Sequence, residues 1–441
     1  MGAHPCRASN LSIQTIFFNI ADQLEAHRDK IIYFLIHEAG KTYKDAIDEI
    51  REAVDFLRYY AVQAEKISQV RQSLPGPTGE TNDLFYEPKG VFVCISPWNF
   101  PVAIFIGQIA AALITGNSVL AKPSEHTPLL GEIVTDIFYD CGIPTDALQL
   151  FHGNGEVGQK LISCSGINGV AFTGSLETAK KIHQQLSHKA GPIANLIAET
   201  GGLNAMIIDS SSLLEQVVDD ILRSAFNSAG QRCSALRIAL IHETIYEDLL
   251  NLLRDAMKEL WVGSPEEFHC DVGPIIEDRA MTRLENYLQQ FQDRKFPVFS
   301  HNQAPNSGCF IAPTLIELSS LDEIDHEMFG PILHTLPFQV DNLDNMLSQL
   351  VQKGYGLTMG MHSRIERKVD DLLQKSITGN VYINRDIVGA VVGSQPFGGT
   401  GLSGTGFKAG GPNYLLQFVD ERTVTKNTVA FGGNTDILNL D

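Results

Sequence analysis

Residues 90–122 read GVFVCISPWNFPVAIFIGQIAAALITGNSVLAK, and their pattern decides the fold. No charged residue falls between Val91 and Ala121, a length that raises the question of a membrane span. Pro97, Trp98, Asn99, Pro101, Gln108, Gly116 and Asn117 interrupt it, so a span is not the reading. The β-branched start predicts a buried strand running into a Pro-bounded turn. Residues 102–116 predict an apolar helix stopped by Gly116, and Ser118–Ala121 a second strand. A strand, a helix and a strand that all lack charge imply a parallel sheet covered on both faces.

Working outward, ALQLFHGNG (147–155), GVAFTGS (169–175), ANLIAETGG (194–202) and NAMIID (204–209) continue the strands, with helical patterns at 177–189 and 214–230 between them. This is an open, doubly wound sheet. From Cys233 the alternation resumes: strands in 235–243 and 309–318, helices in 245–263 and 279–292, then helix followed by strand in 344–363 and in 368–386. That predicts a second α/β domain. Residues 11–65 read as helices, the first pattern ending at Gly40. LPGPTGETN (74–82) reads as loop. The glycine-rich QPFGGTGLSGTGFKAGG (395–411) is too long for a plain connection and is expected to be functional. FVDERTVTKNTVAF (418–431) reads as an edge strand able to pair elsewhere.

A chain of 441 residues exceeds one ordinary core, so two or three domains are expected. A net charge of -19 argues against nucleic acid or an anionic membrane as the main partner. The seven cysteines (6, 94, 141, 164, 233, 270, 309) are odd in number and far apart, without a Cys-x-x-Cys pair. Neither a disulfide framework nor a zinc site is supported, which points to a reducing, cytoplasmic setting. No signal peptide is evident, and Cys6 stands where a myristoylation signal starting at Gly2 needs Ser or Thr.

Two stretches carry candidate chemistry. FNSAGQRCSALR (226–237) sets Cys233 among small and polar residues, with Arg232 before it. A thiolate is the nucleophilic form of cysteine, and nearby positive charge favours it. In IAETGG, Glu199 closes an apolar strand beside Gly201 and Gly202, a place for a general base. Taken alone, each stretch fits the plainer reading better, a packed cysteine and a loop carboxylate. Asn99, in its Pro-bounded turn, either donates to an oxyanion or satisfies its own turn. GNGEVG (153–158) matches the dinucleotide fingerprint only in letters, since no acidic residue closes a following strand. FTGS (172–175) is a strand-to-helix turn of the kind that holds a phosphate.

Taken together and in order, PWNFP, KPSEHTP, FTGS, ETGG, GQRC, EMFGP and QPFGG resemble the NAD(P)-dependent aldehyde dehydrogenase superfamily along nearly the whole chain. INRDIVGAVVGSQPFGGTGLSGTGFKAGGPNYL (383–415) is similar to the L-glutamate γ-semialdehyde (Δ1-pyrroline-5-carboxylate) dehydrogenases fused to proline dehydrogenase in bacterial proline-utilisation proteins. The resemblance implies a Rossmann-type NAD-binding domain (1–201, with a loop or arm at 74–90), an α/β catalytic domain (202–400) and a glycine-rich loop with a β-strand oligomerisation arm (401–441). It implies Cys233 as nucleophile, Glu199 as general base, and Asn99 with the Cys233 backbone N–H as oxyanion hole.

For the cofactor it implies Ser96, Pro97 and Trp98; Lys122, Ser124 and Glu125 toward the adenosine ribose; Thr173, Gly174 and Ser175 toward the pyrophosphate; and Gly201, Glu327 and Phe329 toward the nicotinamide end. Ser234, with the backbone around Gly399 and Thr400, would hold the substrate's α-carboxylate. NAD is expected because Glu125 would repel a 2′-phosphate; NADP is the alternative, with Lys122 as its contact. The implied reaction is oxidation of L-glutamate γ-semialdehyde to L-glutamate in proline catabolism, with no metal. Another aldehyde, or an inactive structural module, are the alternatives. The chain begins almost inside its first helix and has no proline dehydrogenase barrel, so a fragment, an excised domain or a truncated frame is expected, along with a proline dehydrogenase partner and a homo-oligomer.

Overall fold

The computed structural model describes residues 10–69, 71–300, 304–428 and 430. Gly2, Cys6 and most of the chain beyond Thr428 therefore lie outside the described residues.

Three helices open the chain: α1 (Asn10–Ala26), α2 (Arg28–Ala39) and α3 (Tyr43–Ser68). The single pattern read up to Gly40 is broken at His27, whose φ of -99° and ψ of 9° leave the helix. Gly40 ends α2 in the left-handed region (φ 66°), which its missing Cβ permits. Thr42 caps α3 by accepting from the Asp45 N–H.

Next come β1 (Gln72–Leu74) and β2 (Glu80–Pro88), so only Pro75–Gly79 of the expected loop 74–82 lies between strands. Local Pro and Gly signals missed β2 because a distant partner makes it. The final strand, β17 (Val419–Asn427), pairs antiparallel with β2 over its whole length, from Val419↔Pro88 to Asn427↔Glu80. The tail strand thus pairs within its own chain, giving the three-stranded sheet β1-β2-β17 with β17 at one edge.

The 90–122 stretch folds as read, into β3 (Val91–Ile95), α4 (Ala103–Ile114) and β4 (Ser118–Lys122). Then follow α5 (Pro128–Asp140), β5 (Leu148–Leu150), α6 (Gly155–Ser163), β6 (Ile167–Thr173), α7 (Leu176–His188) and β7 (Asn195–Glu199). The strands form an all-parallel sheet in the order β5-β4-β3-β6-β7. α4 is buried almost all round, packed between α3 and this sheet, which explains its charge-free sequence.

The second half contributes β8 (Asn204–Ile208), α8 (Leu214–Phe226), β9 (Leu236–His242), α9 (Tyr246–Lys258), α10 (Asp278–Asp293), β10 (Val298–Ser300), β11 (Thr314–Glu317) and β12 (Ile332–Phe338). It continues with α11 (Val340–Gln352), β13 (Tyr355–Gly356), β14 (Thr358–His362), α12 (Glu366–Lys375), β15 (Asn380–Ile383) and β16 (Thr400–Gly401). Seven strands order as β10-β11-β12-β9-β8-β14-β15, with only β10 antiparallel. The sequence reading passed over β10 and β12. β12 is the more surprising omission, since six of its seven residues are buried, but Pro337 weakens its strand pattern. β8 and β9 are buried at every position, and each large apolar side chain there contributes about 1.5–3 kcal/mol.

Candidate active site

The carboxyl ends of β3, β4, β6 and β7 lie along one edge of the five-stranded sheet, in registers Ile95↔Lys122, Ile95↔Phe172 and Thr173↔Glu199. Strand order reverses between β3 and β6, the switch point where such a sheet leaves a crevice. Many of the expected cofactor residues stand here. The Ser96 hydroxyl is buried with no hydrogen-bond partner among the described residues. Lys122 is 3% exposed, with Nζ 3.0 Å from the Pro123 carbonyl and 3.6 Å from Glu125 Oε2. Burial pushes its ammonium below the usual lysine value, against the pull of the Glu125 carboxylate. Ser124 Oγ accepts from the His126 N–H. Ser175 caps α7 by accepting from the Thr178 N–H at 3.2 Å, and the Gly174 N–H donates to the Glu199 carbonyl. Thr173 accepts from Gln108 Nε2 at 3.1 Å. Trp98, next to Pro97 in the turn, meets Phe329 edge-on at 5.7 Å.

These residues fit a dinucleotide. An unpartnered buried hydroxyl, a glycine turn at a helix N-terminus, and a lysine–carboxylate pair at the end of β4 and the turn after it supply donors and acceptors for phosphate and ribose.

Cys233 sits in the short connection between α8 and β9. Ser228, Ala229 and Gly230 run consecutively through the left-handed region (φ 54°, 53° and 65°). That conformation costs about 1–2 kcal/mol for each non-glycine residue, so other contacts must hold it. Gln231 Nε2 donates to the Pro274 carbonyl, and its Oε1 accepts from the Ile276 N–H. Arg232 reaches Asp45 on α3 at 2.6 Å. Burial alone would raise the Asp45 pKa, but Arg232 and Lys41 outweigh it and hold the carboxyl below its usual value. Asn204, the first residue of β8, donates to the Cys233 carbonyl at 2.7 Å and the Ala235 carbonyl at 2.9 Å. Asn99 Nδ2 donates to the Gln231 carbonyl at 3.0 Å, which ties the 96–100 turn to the cysteine loop.

Cys233 and Glu199 line one cavity of about 400 Å³. Thr173 and Ser234 share its wall; Phe56, Phe100, Phe397 and Tyr414 are among its apolar faces, and Glu52 and Arg385 are charged members. Burial, with the nearby carboxylates of Glu327 and Glu199, pushes the Cys233 thiol up to about 12, against a donating Ser234 N–H. Burial raises Glu199 to about 8, opposed by the Gly399 N–H at 3.0 Å from Oε2 and by the Lys408 charge. Glu52 rises to about 7 through burial and the neighbouring Glu49.

The other expected residues lie off this wall. Glu327 and Gly201 pack together at the turn beyond it, where a Cβ on Gly201 would overlap the Glu327 carboxylate. Gly399 spends its N–H on Glu199, and the Thr400 hydroxyl donates to the Ile377 carbonyl. The sequence reading missed Glu52, Arg385 and Asn204. Only Asn204 left a signal, as a lone amide opening the apolar strand NAMII. Among the described residues no group of three or more His, Cys, Asp or Glu is placed to hold a metal ion, and no helix is long and apolar enough to cross a membrane.

A five-stranded parallel sheet and a mostly parallel seven-stranded sheet, with a thiol and a carboxylate facing one cavity beside a switch-point crevice, define an α/β protein of the dehydrogenase type. Residues 9–424 match the model of the aldehyde dehydrogenase family, and the chain belongs to that family. It is 46% identical over 419 residues to the bifunctional protein PutA of Escherichia coli (strain K12), covering 92% of this chain and 31% of PutA. It is 34% identical over 422 residues to a 1-pyrroline-5-carboxylate dehydrogenase of Geobacillus thermodenitrificans, covering 93% of this chain and 80% of that protein. A crystal structure of bifunctional proline utilization A superposes with a TM-score of 0.94 at 46% identity, over 97% of this chain and 44% of that one. A Thermus 1-pyrroline-5-carboxylate dehydrogenase with bound NAD superposes at 0.88 and 31% identity, over 94% and 81%. The chain thus spans about a third of the PutA sequence and under half of the solved PutA chain.

Proposed function

We propose that this chain oxidises L-glutamate γ-semialdehyde, the open form of pyrroline-5-carboxylate, to L-glutamate with NAD. The observation that carries this reading is the shared cavity: Cys233 and Glu199 face it together, and Glu52 and Arg385 give it opposite charges. An aldehyde bearing an α-ammonium and an α-carboxylate matches such a lining. An aliphatic aldehyde offers no charged group to either side chain and leaves Arg385 with only Asp386 as its ion-pair partner.

Cys233 Sγ, as thiolate, bonds to the aldehyde carbon, and the carbonyl electron pair moves to oxygen. We assign Asn99 as a donor to that oxyanion, through its second N–H, with the Cys233 backbone N–H as the other. One such donor lowers a barrier by about 2.7–4 kcal/mol. A dinucleotide held by Ser96, Lys122 and Ser175 would supply the hydride acceptor for the former aldehyde carbon, which leaves a thioester on Cys233. Glu199 then takes a proton from water, the hydroxide oxygen bonds to the thioester carbon, and the carbon–sulfur bond breaks to return the thiolate. Glu199 leaving the Gly399 N–H for this task frees that donor for the substrate carboxylate, beside Ser234 and the Thr400 backbone. Burial holds the Cys233 thiol high, and a positively charged ring bound beside it would favour the thiolate.

Ser96, Pro97, Trp98, Lys122, Ser124, Glu125, Thr173, Gly174, Ser175, Gly201, Glu327 and Phe329 are proposed to hold NAD, within residues 1–201 and the adjoining 327–329 turn. Residues 202–400 then form the catalytic domain. Glu125 beside Lys122 favours NAD over NADP. The relatives' name "bifunctional" supports a fused or separate proline dehydrogenase as partner, the edge position of β17 supports a homo-oligomer, and a reducing cytoplasm suits the free thiol.

The test is NADH formation with pyrroline-5-carboxylate against a panel of aldehydes. The semialdehyde is expected to have the highest kcat/KM, with Glu52→Gln lowering it at least 10-fold while sparing an uncharged aldehyde. A higher kcat/KM for an aldehyde lacking the α-amino acid group would overturn the assignment.

A further inference from the structure

Arg237, the second residue of β9, is 1% exposed and the largest fully buried side chain. A guanidinium in such a place needs acceptors; its Nε is buried without a hydrogen-bond partner among the described residues, and the two terminal nitrogens make the contacts. Nη1 donates to the Gly230 carbonyl at 2.8 Å and the Gly330 carbonyl at 3.0 Å. Nη2 donates to the Arg232 carbonyl at 3.1 Å and to Glu327 Oε1 at 3.0 Å. Its charge also lies 5.5 Å over the Phe329 ring. Gly230 closes the left-handed turn before Cys233 and Arg232 follows it; the other three partners belong to the 327–330 turn.

The Arg237 main chain is anchored as well. His334 on β12 is buried, and its Nδ1 lies 2.8 Å from the Arg237 carbonyl while its Nε2 lies 3.0 Å from the Tyr287 hydroxyl. A carbonyl only accepts, so Nδ1 carries the proton and Nε2 accepts from the tyrosine. The two turns also approach each other directly: a Cβ on Gly230 would collide with the Gly330 carbonyl.

We infer that Arg237 is a positioning residue that locks the loop bearing Cys233 to the turn bearing Glu327 and Phe329, so that one side chain sets the nucleophile and the nicotinamide end of the site together. The inference rests on the dehydrogenase reading above. It goes beyond it by coupling two places that the reading treats separately. A lysine has one nitrogen and cannot replace a fork that reaches four acceptors.

The experiment uses the full chain and compares Arg237→Met, Arg237→Lys, Glu327→Gln and the Arg237→Met/Glu327→Gln double variant. Two readouts are taken: NAD KM against kcat, and the rate of Cys233 alkylation by iodoacetamide with and without NAD. Arg237→Met is expected to raise the NAD KM and lower kcat, each at least 10-fold, and to abolish the NAD dependence of alkylation. The double variant is expected to be no worse than Arg237→Met alone, because both changes cut the same link. A folded Arg237→Met with KM and kcat within 2-fold of wild type, or effects that multiply in the double variant, would overturn the inference. If Arg237→Met does not fold, Arg237→Lys decides by the same criteria. If the wild type fails to oxidise the semialdehyde, the functional reading fails, and alkylation still decides: an NAD effect equal in wild type and variant rejects the coupling.

Discussion

Glu199 illustrates how a residue can be visible in sequence while its state is not. A carboxylate closing an apolar strand before Gly-Gly is readable from the letters. Burial raises its proton affinity, and Gly399 and Lys408, some 200 positions away, oppose that rise. Being raised to about 8, Glu199 is mostly protonated at pH 7 and becomes a base only as pH rises. The kcat–pH profile is therefore expected to climb with an apparent pKa near 8. In Glu199→Gln that limb should vanish, leaving a burst of NADH with steady-state turnover at least 100-fold lower. A flat wild-type profile between pH 6 and 9 would contradict this. Glu52 shows the converse. Both Glu49 and Glu52 line the cavity and nothing in EIREAVDFLRYY separates them, yet Glu49 is tied to Lys41 and to the Val102 and Ala103 N–H groups while burial and Glu49 raise Glu52 to about 7. Helical periodicity gives a face, not the neighbour that face will meet.

At the scale of elements, the connection between α8 and β9 was legible as chemistry and opaque as geometry. Small residues around Cys233 suggested close approach. Three successive left-handed residues, two of them not glycine, could not be read, because tertiary contacts impose them. Gly230→Ala is expected to cost about 1–3 kcal/mol, through its positive φ and the collision with the Gly330 carbonyl, and to lower kcat more than it lowers NAD affinity. Chemical denaturation and steady-state kinetics on one preparation check both; unchanged stability would refute the geometry. The strands β2, β10 and β12 were obscured for a related reason: each is defined by a partner distant in sequence or carries a proline, so its local pattern is poor. The long charge-free 90–122 stretch suffered neither defect and was read correctly.

At the scale of the whole molecule, the glycine-rich 395–411 segment joins the two large sheets. Thr405 N–H donates to the Ala198 carbonyl on one sheet, and Gly398 N–H donates to Oδ1 of Asn380, the first residue of β15 on the other, whose Nδ2 donates to the Pro396 carbonyl. Ser403 is fully buried between them. Its hydroxyl donates to the Gly201 carbonyl and accepts from the Gly356 N–H, and its own carbonyl accepts from the Thr200 N–H. Ser403→Ala leaves the Gly201 and Gly356 groups unpaired at an expected cost of about 1–3 kcal/mol. Calorimetry should record a lower melting temperature with a broadened or split transition, as the sheets begin to melt separately; a sharp melt at the wild-type temperature would refute the bridging role. Composition forecast more than one domain, but not that their seam would be made of backbone amides, which leave no mark in side-chain identity.

The contact between Gly201 and Glu327 has an evolutionary corollary. With no room for even a methyl group between them, the two positions are not free to drift independently. A descendant that acquires alanine at 201 must either shorten the acid at 327 or surrender its grip on whatever that acid holds, so the pair is expected to change in concert or not at all.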